Sequence, residues 1–155
     1  MTYRLLVYIA PMLVTVGCDA PFDMTMAPSD TMRPDSIYPL EVEDVEAVAI
    51  CTEIEGTSPG RICTIDYENL GGLKVGKFHS TDNARRYFEN YKNRVKLIGP
   101  ITEGSNGWSQ AWREGNLESG QPIVYWYVDK WFFSINGKNA ESFETIIEAF
   151  PYIDR

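Results

Sequence analysis

The stretch VEAVAICTEIEGTSPGRICTIDY, residues 45–67, decides the fold. Two β-rich segments, 45–54 and 61–67, flank Glu55-Gly56-Thr57-Ser58-Pro59-Gly60, a run of turn-forming residues, and together they predict a hairpin. Folding it about Thr57 sets Cys51 opposite Cys63, Ala49 opposite Ile65 and Ala47 opposite Tyr67. Side chains alternate at period two, so these pairs share one face and a single register satisfies all of them. A disulfide between Cys51 and Cys63 would then stabilise the hairpin by about 3 kcal/mol through loop closure. The alternatives are a redox or a metal pair. No Cys-x-x-Cys is present, and with His79 as the only histidine a zinc site would need carboxylates to complete its ligands.

Outward from the hairpin, Asn69-Leu70-Gly71-Gly72 forms a turn into a third strand over 73–78. Thr81 is the expected cap of a helix whose stripe is Ala84, Tyr87, Phe88, Tyr91 and Val95. The second half repeats the order. Strands over 97–102 and 108–113 flank Gly104-Ser105-Asn106-Gly107, a loop spans 114–121, and strands over 123–128 and 131–135 flank Asp129-Lys130. A last helix, about 140–150, is capped by Asn139, buries Phe143, Ile146, Ile147 and Phe150, and stops at Pro151. The order βββα-ββββα predicts an α+β fold: an antiparallel sheet of about six or seven strands with two helices packed on one face.

With 155 residues, 44% of them hydrophobic and 23% charged, the chain has material for one sizeable core and not for a polytopic membrane protein. Its formal charge of −8 repels a phosphate backbone, so nucleic acid is excluded as a partner. The aromatic run Tyr125-Trp126-Tyr127-Val128-Asp129-Lys130-Trp131-Phe132-Phe133 places large rings on both faces of the sheet. If the helices cover one face, Tyr125 and Tyr127, with Trp131, Trp112 and Trp108, form an open binding surface, and Trp126 points to the helices. If both faces are covered, the run is core.

Residues carrying catalytic chemistry are sparse. His79 sits at a strand-to-helix junction in Phe78-His79-Ser80-Thr81-Asp82, and no serine lies in a Gly-x-Ser-x-Gly elbow. Glu141, Glu144 and Glu148 on the outer side of the last helix, and Glu41, Glu43, Asp44 and Glu46 crowding the domain entrance, read as solvated charge rather than a carboxylate pair. Met24, Met26 and Met32 are spaced too openly for a copper(I) site. No phosphate loop, EF-hand or His-Glu-x-x-His occurs, and the expectation is no cofactor, no metal and no enzymatic activity.

The N-terminus carries one cation at Arg4, an apolar run over 5–16 interrupted by Pro11, then Gly17 and Cys18. This is the layout of a cleaved secretory signal and is too short to span a bilayer. Thr15-Val16-Gly17-Cys18 resembles the lipobox of bacterial lipoproteins, with Thr15 where leucine is commonest. The resemblance covers 1–18 only and implies cleavage before Cys18, lipid on its thiol, and a membrane anchor facing the periplasm or cell exterior. Asp19 resembles the enterobacterial signal for retention at the inner membrane.

The expected organisation is therefore a signal peptide at 1–17, a lipidated N-terminus with a flexible Pro- and Asp-rich tether at 18–43, and a single α+β domain at 44–155. The expected function is a non-catalytic protein-binding or assembly module with an envelope protein as partner. The alternative is an acidic inhibitor or immunity lipoprotein that neutralises a cell-wall-active enzyme. Removing 1–17 takes away Arg4 alone and leaves 13 basic and 22 acidic side chains, a charge of −9 suited to capturing a basic enzyme.

Overall fold

Backbone pairing in the computed structural model, which describes residues 22–154, follows the hairpin expected from the cysteine spacing. A two-residue strand, β1 (Glu41–Val42), turns through Glu43 and Asp44 into β2 (Val45–Ile54). Both turn residues have positive φ, 47° and 63°, the conformation that matches the twist of a tight hairpin. Strand β2 then runs antiparallel to β3 (Gly60–Tyr67), with Ala47 opposite Tyr67, Ala49 opposite Ile65 and Cys51 opposite Cys63. The two cysteines lie at disulfide distance, their Cα atoms 4.0 Å apart. Replacing Cys51 with Ala is expected to lower unfolding stability by about 2–4 kcal/mol, read from denaturant melts of oxidised protein. An unchanged melt, or thiols that alkylate without reductant, would contradict the bond.

The chain continues through β4 (Gly71–Phe78), α1 (Thr81–Arg94), β5 (Leu97–Ser105), β6 (Gln110–Leu117), β7 (Pro122–Val128), β8 (Trp131–Gly137) and α2 (Ala140–Ala149). The strands form one antiparallel sheet of eight, in the order β1-β2-β3-β4-β8-β7-β6-β5. The fold is α+β, with eight strands in place of six or seven. The additional strand is β1, too short for alternation to announce it. Both helices start on side-chain caps. Ser80, one residue before the expected Thr81, accepts the Asn83 N–H at 3.2 Å, and Asn139 forms a reciprocal capping box with Ser142.

The helices do not share a face, contrary to expectation. Helix α1 sets Ala84, Phe88 and Tyr91 against Ile62, Phe78, Ile123, Tyr125, Tyr127 and Phe132. Helix α2 packs Phe143, Ile146, Ile147 and Phe150 on the other side, against Leu73, Val75, Trp126, Phe133 and Ile135. The physical reason lies in β7 and β8, at the centre of the sheet. Ile123 to Val128 and Trp131 to Ile135 are buried without a break, and such a strand needs cover on both faces.

The segment expected as a free tether is packed as well. Phe22, Met24 and Ile37 are buried in the core beneath α2, and Asp23 and Asp154 exchange backbone hydrogen bonds at 2.6 and 3.0 Å. Single apolar residues without periodicity carry no helix or strand signal, yet each fills a place in a core formed by the rest of the chain. The folded body therefore begins by Phe22 rather than at residue 44. Cys18 and the rest of the expected signal lie outside the described residues. Among the described residues no helix is long and apolar enough to cross a membrane.

Candidate protein-binding surface

The aromatic residues expected to bind a partner are mostly interior. Tyr125 and Tyr127 lie under α1, their ring centroids 5.5 and 5.3 Å from that of Phe88, and Tyr91 meets Tyr125 edge-on at 5.1 Å. Burial pushes the phenols of Tyr125 and Tyr127 above the ordinary tyrosine range. Trp131 and Trp112 are buried on the α2 side, where Trp126 also sits, its ring tilted against that of Phe133 with centroids 5.0 Å apart. An open aromatic face is thus corrected to a two-sided core. Trp108 alone is exposed, at 75%, and the Arg85 guanidinium lies over its ring at 4.5 Å.

The only histidine, His79, is exposed on the rim of a cleft of about 400 Å³ between residues 30–34 and the ends of β3 and β4. That cleft is laced with internal ion pairs. Arg61 meets Glu53 at 2.7 Å and Asp35 at 3.3 Å, Lys130 meets Asp30 at 2.9 Å, and Lys77 donates to the carbonyls of Asp30 and Met32. These charged side chains are engaged within the chain, by ion pairs or, for Lys77, by backbone carbonyls, and fasten the N-terminal segment to the strand ends. Among the described residues no group of three or more His, Cys, Asp or Glu side chains converges as a metal ligand set would.

No family model, curated protein or solved structure matches this chain.

What the fold leaves open is the outer edge of β2. Strand β1 pairs only with Val45 and Glu46, and Ala47 donates to the Leu40 carbonyl at 2.9 Å. Because backbone groups point to alternate sides along a strand, the same outward direction belongs to Ala49, Cys51 and Glu53. Among the described residues no strand pairs with them. Beside this edge, on the side of the sheet that carries α1, Val48 and Ile50 are 65% and 69% exposed. Helix α1 packs on β4, β7 and β8, and the sheet extends past it. The residues opposite on β3 are Asp66 and Thr64, which give Val48 and Ile50 no apolar cover.

The other edge of the sheet is guarded. Strand β5 carries Pro100, which has no N–H to offer, Gly99 with φ at 72°, and a break in register between Ile98 and Thr102. By contrast, residues 47–52 of β2 hold no charge, no proline and no bulge. Strand β2 carries no aromatic ring and so stands outside the aromatic signal. A usable signal was there: Val48 and Ile50 fall on the face of the predicted hairpin opposite to Cys51, against Thr64 and Asp66 rather than apolar partners.

Proposed function

We propose that this chain is a bacterial envelope lipoprotein that binds protein, without catalysis, through the open edge of β2. The observation that carries the reading is the row of outward backbone groups at Ala49, Cys51 and Glu53 beside exposed Val48 and Ile50. An added strand supplies hydrogen bonds to the first and cover to the second. The lipobox-like Thr15-Val16-Gly17-Cys18 supports anchoring through lipid on Cys18, and the cysteine pair at Cys51 and Cys63 fits an oxidising compartment. Asp19 favours the inner membrane, with the domain in the periplasm, if the enterobacterial rule holds.

Two measurements test the reading. Metabolic labelling with a clickable palmitate analogue is expected to mark the wild type and to be lost in Cys18→Ala; equal labelling would overturn the anchor. A photocrosslinking side chain at position 50 of the full chain in intact cells is expected to give a protein adduct, and one at Glu148, exposed on α2, to give none. Absence of an adduct from position 50 would overturn the edge as a binding site.

The charge of −9 after cleavage favours a second reading, an inhibitor or immunity protein for a basic wall enzyme. Salt separates the two. Capture dominated by charge weakens steeply as ionic strength rises, whereas pairing along an uncharged edge tolerates it.

A further inference from the structure

We infer that the partner of the β2 edge is a second copy of this chain, joined antiparallel about a two-fold axis at Cys51; the inference rests on the reading of the chain as a protein-binding module. The free edge is bounded at both ends. At one end the Ala47 N–H is already held by the Leu40 carbonyl, and at the other β2 ends at Ile54. The open stretch is therefore 48–54, and its midpoint is Cys51. Its outward backbone groups belong to Ala49, Cys51 and Glu53, which are symmetric about that midpoint.

A two-fold axis at Cys51 pairs Ala49 of one copy with Glu53 of the other and Cys51 with Cys51. Each of the outward groups then meets an outward group, and none that is already bonded is asked to bond again. On the α1 side the same register sets Ile50 opposite Thr52 and Val48 opposite Ile54. Both exposed aliphatic side chains thus gain cover from the neighbouring copy. Moving the axis to Ile50 would instead set Ala47, whose N–H is taken, against Glu53.

Charge is compatible with self-pairing despite the acidity of the chain. Residues 47–52 are uncharged, and the one acid brought to the seam, Glu53, is bound by Arg61 at 2.7 Å and lies opposite Ala49 rather than another acid. The chain leaves β2 after Ile54 through the turn over 55–59, so the second copy diverges before reaching Leu40. Two sheets of eight strands would join into one continuous sheet.

Mass spectrometry of the adduct formed from position 50 in intact cells tests the assignment. The expected product is a covalent dimer of this chain, linked from position 50 to Thr52 or its immediate neighbours in the second copy. An adduct to a different protein would overturn self-pairing and leave edge binding standing, whereas no adduct would overturn both. Ala49→Pro removes an outward N–H that pairs with no strand among the described residues, and is expected to abolish the dimer adduct without changing the thermal melt. Should that variant fail to fold, Ile50→Lys, an exposed change of the kind that blocks edge pairing, is examined with the photocrosslinker moved to position 52. A dimer adduct that persists in either folded variant would overturn the inference.

Discussion

Replacing Tyr125 and Tyr127 together with Ala is expected to leave no cooperative unfolding transition. Both side chains are fully enclosed between β7 and α1, in ring contact with Phe88 and, for Tyr125, with Tyr91. Truncating one core aromatic costs about 3–5 kcal/mol, and a whole domain holds only about 5–15 kcal/mol in reserve. Two losses on one helix contact strip α1 of its cover on β7 and leave it only β4 and β8 to pack on. Trp126→Ala strikes the opposite side, against Phe133 and Phe150, and is expected to cost about 3–5 kcal/mol alone. Thermal and urea melts followed by circular dichroism would check both. A double tyrosine variant that melts like the parent would mean that α1 does not cover β7.

Gly137→Ala is expected to destabilise as well, by a different route. Its Cβ would fall 2.4 Å from the Phe143 backbone nitrogen and 2.5 Å from its Cα, atoms of α2 that cannot swing aside. The helix must retreat, taking Phe143 and Ile147 from the core, where overpacking ordinarily costs about 1–3 kcal/mol and more when backbone has to shift. Gly72→Ala is the matched control. There the nearest atoms are the Asn136 side-chain oxygen at 3.2 Å and the Ile65 carbonyl oxygen at 3.3 Å, which need yield only a few tenths of an ångström, so its melt should fall far less than that of Gly137→Ala.

How much of this was legible in the sequence depended on whether local or distant residues decide each feature. The hairpin register of β2 and β3 was readable because turn composition, two cysteines and period-two alternation act within one short stretch. The end of α2 was readable for the same reason, with Asn139 and Pro151 marking its limits. The side taken by each helix was not, since it depends on the route from β4 across the sheet to β5 at its far edge. Even so, the unbroken apolar character of Ile123, Val124, Tyr125, Trp126, Tyr127 and Val128 is what a strand covered on both faces requires, and it outweighs the count of aromatic rings. Phe22, Met24 and Ile37 could not be placed from sequence because each is fixed only by a distant core. The open edge of β2 was half legible: alternation gives the exposed face, but only the strand order shows that no strand of the described residues lies beyond it.

The packing of Phe22 and Met24, with the bridge from Asp23 to Asp154, bears on how the body would be carried at a bilayer. Only residues 19–21 separate Cys18 from Phe22, and at 3.3–3.6 Å per residue a fully stretched leash of that length reaches about 14 Å. On the lipid-anchored reading, the body rides at the headgroup surface instead of sampling the depth of the compartment. Encounters between copies become lateral, governed by the number of molecules per unit of membrane and by the tilts so short a leash permits. A β2 edge too weak to associate in dilute solution would then find its counterpart through surface density.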